Sequence, residues 1–236
     1  MIIRHADSSQ LLITQPDHAA LAAHIMRHWR ADGFPGARRR PAILLAIAEH
    51  DNGWREIDDE LLVEEGTERI LDFVHAPDRV RQGVWPRGAS RLAGTPHAAA
   101  LVAQHAVHVY GRYRTDPNWT SFFADKTVAR DRYLQEAAPL TQEELLADYS
   151  FLRIGDLASL TFCSAWTKSQ TDESGYTIRM DGTRLIVTPD PFAGHEVALT
   201  VAAREVPERP LPSPADAARA YQQSPHVSVT GTASGP

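Results

Sequence analysis

The run AIAEHDNGW ends an apolar helix on two ionisable residues, His50 and Asp51, and a charge in that position needs a partner. Residues Ala42 to Asp51 read as a helix with an apolar stripe, Ile43 and Ile47, that His50 continues at about 100° per residue. Asp51 follows Leu44 by two turns. An ionised Asp at a helix C-terminus opposes the helix dipole and is costly to bury uncompensated. A divalent cation would satisfy it directly; an Arg partner, or exposure at a frayed helix end, is the ordinary alternative.

Other helices repeat the pattern. Pro16-Asp17 signals the start of HAALAAHIMRHW, where His18 lies on the stripe of Leu21, Ala22, Ile25 and Trp29, His24 points away and His28 lies at the edge. Pro96 opens HAAALVAQHAVHVYGRY, with His105 on the stripe of Ala98, Leu101, Val102 and Val109, and His97 and His108 on its shoulder. Thr141 and Glu144 form a capping box ahead of a long helix to about Trp166. Along it Leu145, Tyr149, Leu152, Asp156, Ser159 and Cys163 follow helical spacing, so Asp156 interrupts an apolar seam. Each residue alone has an ordinary structural reading. Together, His18, His50, Asp51, His105 and Asp156 form the donor set of a divalent-metal site inside a helical bundle.

The rest of the chain reads as mainly α, α+β overall. Short strands MIIR and LLIT flank a polar turn at Ala6 to Ser9. Trp54 to Pro77 reads as loop with short helical turns, Asp78 to Leu92 as a helix interrupted at Pro86 and Gly88, and Thr120 to Ala137 as a further helix. After Lys168 strands are expected at Gly175 to Met180, Arg184 to Thr188 and Glu196 to Ala203, with Asp181-Gly182 a hairpin turn, then a helix at Ser213 to Gln223. The expected plan is a helical core over 1–167, including the N-terminal strands, a small β-rich portion over 168–223 and a flexible tail over 224–236.

The formal net charge of -6, with Lys126 and Lys168 the only lysines, disfavours a dedicated nucleic-acid binder. The single Cys163 excludes an intrachain disulfide and a thiolate zinc cluster, and its place on the inner seam makes it a core filler. The N-terminal residues lack the apolar run of a signal peptide, and no segment is apolar enough to span a bilayer, so no membrane association and a cytoplasmic location are expected.

The order H…HD…H…D, on successive helices, resembles the HD-domain superfamily of metal-dependent phosphohydrolases. A closer resemblance, carried by ITQPDHAALAAHI, IAEHDNGW followed by Asp58, HAAALVAQHAVHVYG, LRIGDLASLTFC and PFAGHEVALTVAARE, is to the uncharacterised bacterial DUF 3891 family. The resemblance covers most of the chain and implies an HD-like helical bundle. It implies His18, His50, Asp51 and Asp156 as ligands of one metal, with His105 added and Asp51 bridging in a two-metal site. A further histidine for a full two-metal set would be His97 or His75. It implies one or two ions of Mn, Fe, Zn or Mg.

The expected function is therefore hydrolysis of a phosphoester or related small anionic substrate by metal-activated water. Asp51 is the central catalytic candidate, with Glu49 or Asp58 as assisting bases and Arg55 or Arg153 as substrate contacts. Arg153, one turn before Asp156, is also the residue that could pair with it and make the arrangement purely structural. Trp54 is expected to pack as a lid on the helix end. The alternatives are an HD-type di-iron oxygenase cleaving C–C or C–P bonds, and a non-catalytic ligand-binding or sensor protein.

Overall fold

The computed structural model describes residues 1–236 apart from 7, 32, 65, 67, 68 and 209–212. The N-terminal apolar pairs form strands β1 (Ile2–His5) and β2 (Ser9–Ile13), antiparallel with Ile2 opposite Ile13; Asp7 of the expected turn lies outside the described residues. The chain passes directly from β2 into α1 (Gln15–Arg27), where the Thr14 side chain accepts the Asp17 amide and caps the first turn. This short link sets His18 one turn into α1, beside the sheet.

There follow α2 (Arg40–Glu49), a 3-10 turn at Asn52–Trp54, α3 (Arg55–Glu60), α4 (Asp78–Arg91), α5 (Pro96–Val109), α6 (Thr120–Glu136) and α7 (Gln142–Cys163). The capping box of Thr141 and Glu144 is present at the start of α7. In α4 the expected interruption does not occur: the helix runs through Pro86 and Gly88. It is held against the 3-10 turn, where Arg87 donates to the Gly53 carbonyl at 3.0 Å and Val84, Trp85 and Ala89 are buried. Tertiary packing here overrides the local cost of proline.

The remaining elements are β3 (Gln170–Thr171), β4 (Thr177–Asp181), β5 (Arg184–Thr188), β6 (Val197–Pro207), α8 (Pro214–Gln223) and β7 (His226–Ser234). The strands form one mixed sheet in the order β1-β2-β6-β7-β5-β4-β3, with β5 and β7 parallel and the other pairs antiparallel. The stretch 224–236, expected to be a flexible tail, instead supplies a strand between β6 and β5, paired with β6 from His226 through Ala233. Its small polar residues suit a strand whose neighbours stand close: a Cβ on Gly231 would fall 2.1 Å from the Thr183 carbonyl oxygen. The N-terminal strands join the same sheet through β2 and β6, so the β portion is built from both ends of the chain.

Along β6 burial alternates, with Val197, Leu199, Val201 and Ala203 inward. They pack in one apolar core with Ala22, Ile25 and Met26 of α1 and Leu152 and Phe162 of α7. His24, on the outer side of α1, donates from Nε2 to the Ala198 carbonyl at 2.9 Å and ties helix to sheet. Among the described residues no helix is long and apolar enough to cross a membrane.

Two glycines let elements meet at backbone distance. A Cβ on Gly155 would stand 2.8 Å from Met26 Cγ and 3.4 Å from Ile47 Cγ2, so α7 lies close to both α1 and α2 one residue before Asp156. A Cβ on Gly53 would lie 2.0 Å from the Val84 carbonyl oxygen, which no rotamer can relieve. Gly53→Ala should therefore lower stability by on the order of 3 kcal/mol or more. Gly83→Ala, at an exposed site of the same α4 with open space around it, should raise stability by up to about 1 kcal/mol. Denaturant unfolding of the two variants measures both; equal effects would contradict the packing of the 3-10 turn on α4.

Candidate metal centre

The inward faces of α1, α2, α5 and α7 converge on one buried cluster. His18 and His105 come from mid-helix stripes, His50 and Asp51 from the end of α2, and Asp156 from the middle of α7. His18 Nε2 is 3.1 Å from Asp156 Oδ1 and 3.7 Å from Asp51 Oδ2. His50 Nε2 is 3.4 Å from each of those oxygens, and His105 Nε2 is 3.7 Å from Asp156 Oδ2. The His50 ring stands edge-on to both His18 and His105, with centroids 5.1 Å apart in each case.

The outer nitrogens are all engaged. His50 Nδ1 donates to the Ile47 carbonyl at 2.8 Å, which fixes the proton on Nδ1 and leaves the Nε2 lone pair facing the carboxylates in the neutral ring. Ser159 donates its hydroxyl proton to the Asp156 carbonyl at 3.2 Å, so its oxygen receives the His18 Nδ1–H at 2.6 Å. His105 Nδ1 lies 3.0 Å from the Tyr149 hydroxyl. Outer hydrogen bonds of this kind orient metal-ligating imidazoles.

The inner nitrogens are not satisfied in the same way. His18 Nε2 and His50 Nε2 are buried and lack an aligned hydrogen bond, although carboxylate oxygens stand nearby. Neutral imidazoles would oppose lone pairs to two carboxylates, so the cluster requires a cation between them or a proton on a ring. The donor spacing, 3.1–3.7 Å, suits a small divalent ion, because ligands at about 2.0–2.1 Å in a tetrahedral set stand about 3.3 Å apart. Two triads each bring three donor atoms within 4.8 Å of one another, His18-His50-Asp51 and His50-His105-Asp156. They share the one free nitrogen of His50, so they form one centre. These buried His and Asp groups could hold a metal ion.

Without a metal, a proton has to take that place. Burial works to depress the His50 imidazole, but the charges of Asp51 and Asp156 outweigh it and raise its pKa to about 9. Burial, reinforced by His50, pushes His105 down to about 3 despite Asp156. Burial would raise Asp156, yet His18 and His50 hold it well below the usual carboxylate range. Asp51 is raised by burial, with His50 and His18 opposing. In the metal-free cluster the carboxylates thus favour the protonated form of His50, and the imidazoles favour the ionised form of Asp156.

The centre opens on one side to a cleft of about 260 Å³. Asp51, His105 and Asp156 line it, with Trp54, Trp85 and Tyr110 as aromatic wall, while Arg81 and Arg112 supply positive charge. His18 and His50 are fully buried and are not among the lining residues.

Several residues suggested by the sequence lie elsewhere. His97 does not reach the centre: it sits 3.0 Å from Asp148 Oδ2, two helical turns from the His105–Asp156 pair along the same two helices. His75 is exposed and bonded to Asp72. Asp58 is buried but committed to the Met1 ammonium at 2.5 Å and the Gln15 amide at 2.6 Å. Glu49 and Arg55 do not line the cleft, and Arg55 is exposed. Arg153 turns from Asp156 to Asp172 at 2.6 Å and to Glu173, which removes the arginine partner that would have made Asp156 purely structural. Trp54 is buried and lines the cleft, so it is part of the wall as well as packing. Cys163 is buried away from the cleft, and burial pushes its thiol up, which leaves it inert.

Ser159 and Tyr149 were legible only as members of the α7 stripe; their spacing from Asp156, three and seven residues, is the signal that marks them as outer partners. Arg81, Trp85, Tyr110, Arg112 and Trp166 carry no local sequence signal, because the cleft they line is assembled from separate elements.

The model of a family described as protein of unknown function (DUF3891) matches residues 1–208, and the chain belongs to that family. No curated protein and no solved structure matches the chain.

Since a proton and a metal compete for His50, metal affinity should depend on pH. Below about pH 9 the metal-free protein carries the proton, so the apparent affinity should rise about tenfold per unit from pH 6.5 toward 9 and flatten above it. The stability that the His50 proton confers on the metal-free protein runs the other way, complete below 6.5 and lost as pH rises through about 9. Chelator-competition titrations with zinc or manganese between pH 6.5 and 9.5 provide the check; an affinity flat across that range would contradict it.

Proposed function

We propose that the chain is a metal-dependent hydrolase acting on a phosphoester or related small anionic substrate. The observation that carries this reading is the one-sided opening of the centre. Asp51, His105 and Asp156 belong both to the donor set and to the cleft wall, whereas His18 and His50 hold the closed side. A structural metal is enclosed by protein ligands, and a catalytic one keeps a position for water or substrate. The helical order of the donors, in the manner of HD-type phosphohydrolases, supports the same reading.

His18, His50, Asp51, His105 and Asp156 would hold a divalent ion, which would supply Lewis acidity and a means of activating water near neutral pH. The chain contributes orientation and charge. Ser159, the Ile47 carbonyl and Tyr149 hold the three imidazoles, and Asp51 and Asp156 balance the ion's charge. Asp51, which lines the cleft, would take the proton of an attacking water as the bond to the leaving group breaks. Arg81 and Arg112 offer cations to the substrate's anionic oxygens.

One observation also bears on the number of ions. The two triads share His50, whose second nitrogen is held by Ile47, so this geometry favours one ion over the paired iron of an oxygenase. Elemental analysis separates the two: two irons per chain with oxygen uptake would favour the oxygenase.

Asp156→Ala and Asp51→Asn should each reduce turnover of p-nitrophenyl phosphate or its diester by on the order of 10²–10³ or more, with far-UV circular dichroism unchanged. Full turnover in either folded variant, or no phosphoester turnover by the metal-loaded protein over a broad substrate panel, would overturn the hydrolase.

A further inference from the structure

The large apolar side chains left exposed among the described residues are Val74, Val109, Val128, Leu146 and Trp166. Three of these, Val74, Val109 and Trp166, line the cleft that reaches the His/Asp centre. Scattered exposed apolar residues are ordinary on a protein surface; a group at one opening marks a contact site. Trp166 is set there by the end of α7. Its amide bonds the Thr161 carbonyl at 3.0 Å, and Ala165 takes a left-handed φ of 53°, a conformation that favours glycine. Further in, Trp54, Trp85 and Tyr110 form the wall, with the Trp85 ring edge-on to His105 at 5.6 Å.

The charges at the cleft differ in availability. Arg81 pairs with Asp78 and donates to the Tyr113 hydroxyl. Arg112 also donates to Tyr113, at 3.0 Å, but among the described residues no carboxylate pairs with it. The cleft therefore joins a guanidinium with no carboxylate partner among the described residues, and an apolar, largely aromatic wall, to a floor that could hold a metal. A cavity of about 150 Å³ suffices for a benzene ring, so about 260 Å³ has room for a ring and a tetrahedral anionic group.

We infer that this cleft selects an aryl-bearing anion: a substrate whose phosphate or phosphonate-like group meets the His/Asp centre and Arg112 while an aromatic ring packs against Trp166, Val109 and the inner aromatic wall. This rests on the hydrolase reading for the chemistry but not for the binding. Trp166 and Val109 are specificity residues here, and Arg112 an anion contact. Burying a ring that methyl cannot replace should be worth tenfold or more in affinity.

The test uses the full-length zinc- or manganese-loaded protein and two probes that cannot be hydrolysed, phenylphosphonate and methylphosphonate, titrated calorimetrically. Phenylphosphonate should bind at least about tenfold more tightly. Trp166→Ala and Val109→Ser, both at exposed sites, should each erode that preference several-fold while leaving methylphosphonate affinity within about twofold. Arg112→Ala should weaken both probes by a similar factor. Equal affinities, no binding of either probe, or a preference untouched in both Trp166→Ala and Val109→Ser would overturn the inference. Turnover separates it from the hydrolase reading. Aryl preference in binding without hydrolysis of any phosphoester retains the cleft assignment and defeats the hydrolase. Phosphoester hydrolysis without aryl preference does the reverse.

Discussion

Asp156 is a carboxylate on the inner face of α7, held well below the usual carboxylate range by His18 and His50, and the interior is arranged around its need for a counter-charge. Its neighbours are imidazoles: His18 at 3.1 Å, His50 at 3.4 Å and His105 at 3.7 Å. The nearest arginine along its own helix, Arg153, is committed to Asp172 and Glu173. A carboxylate in a low-dielectric core with no fixed cation is stable only if a proton or metal occupies the space between it and the rings. Asp51 adds a second carboxylate against the same rings, 3.7 Å from His18 and 3.4 Å from His50.

That requirement explains features which are otherwise unrelated. The outer nitrogens are held by groups of three kinds, a backbone carbonyl, a hydroxyl and a phenol, so each ring directs its other nitrogen inward. Gly155 lets α7 come close enough to α1 and α2 for Asp156 to sit between their histidines. Gly53 lets the turn after Asp51 seat against the backbone of α4, which brings Trp85 to His105. The sheet takes part at a distance: β2 feeds α1 without a loop, β6 packs against α1, and β4 and β5 pack against α7. The same arrangement opens the centre to the cleft, and the residues around that opening are apolar and aromatic where the floor is charged.

The helices and their polar members were legible in the sequence because both follow a period. His18, His50, His105 and Asp156 each lie on an apolar stripe at helical spacing, and a charged group there is visible without knowing what it faces. The capping box at Thr141 and the hairpin at Asp181-Gly182 are local devices, and both are in the structure. The continuous α4 and the strand at β7 were not legible. Pro86 and Gly88 argue against a helix, and SVTGTASGP argues against order, until the neighbouring backbone is in place.

The sequence by itself put His18, His50, His105 and Asp156 on inner faces, since hydrophobic periodicity assigns each side chain to a face; it did not mark Arg81, Lys126 or Asp148, which the structure also buries. It could not determine which of those groups would meet, because distance across a bundle depends on how the helices cross, and that depends on contacts between residues far apart in the chain. Only the tertiary structure joined His18, His50, Asp51, His105 and Asp156, sent His97 to Asp148, and withdrew Arg153 from Asp156. The cleft over the centre belongs wholly to that level: its lining runs from Gln15 to Trp166, and no segment of the sequence contains its shape.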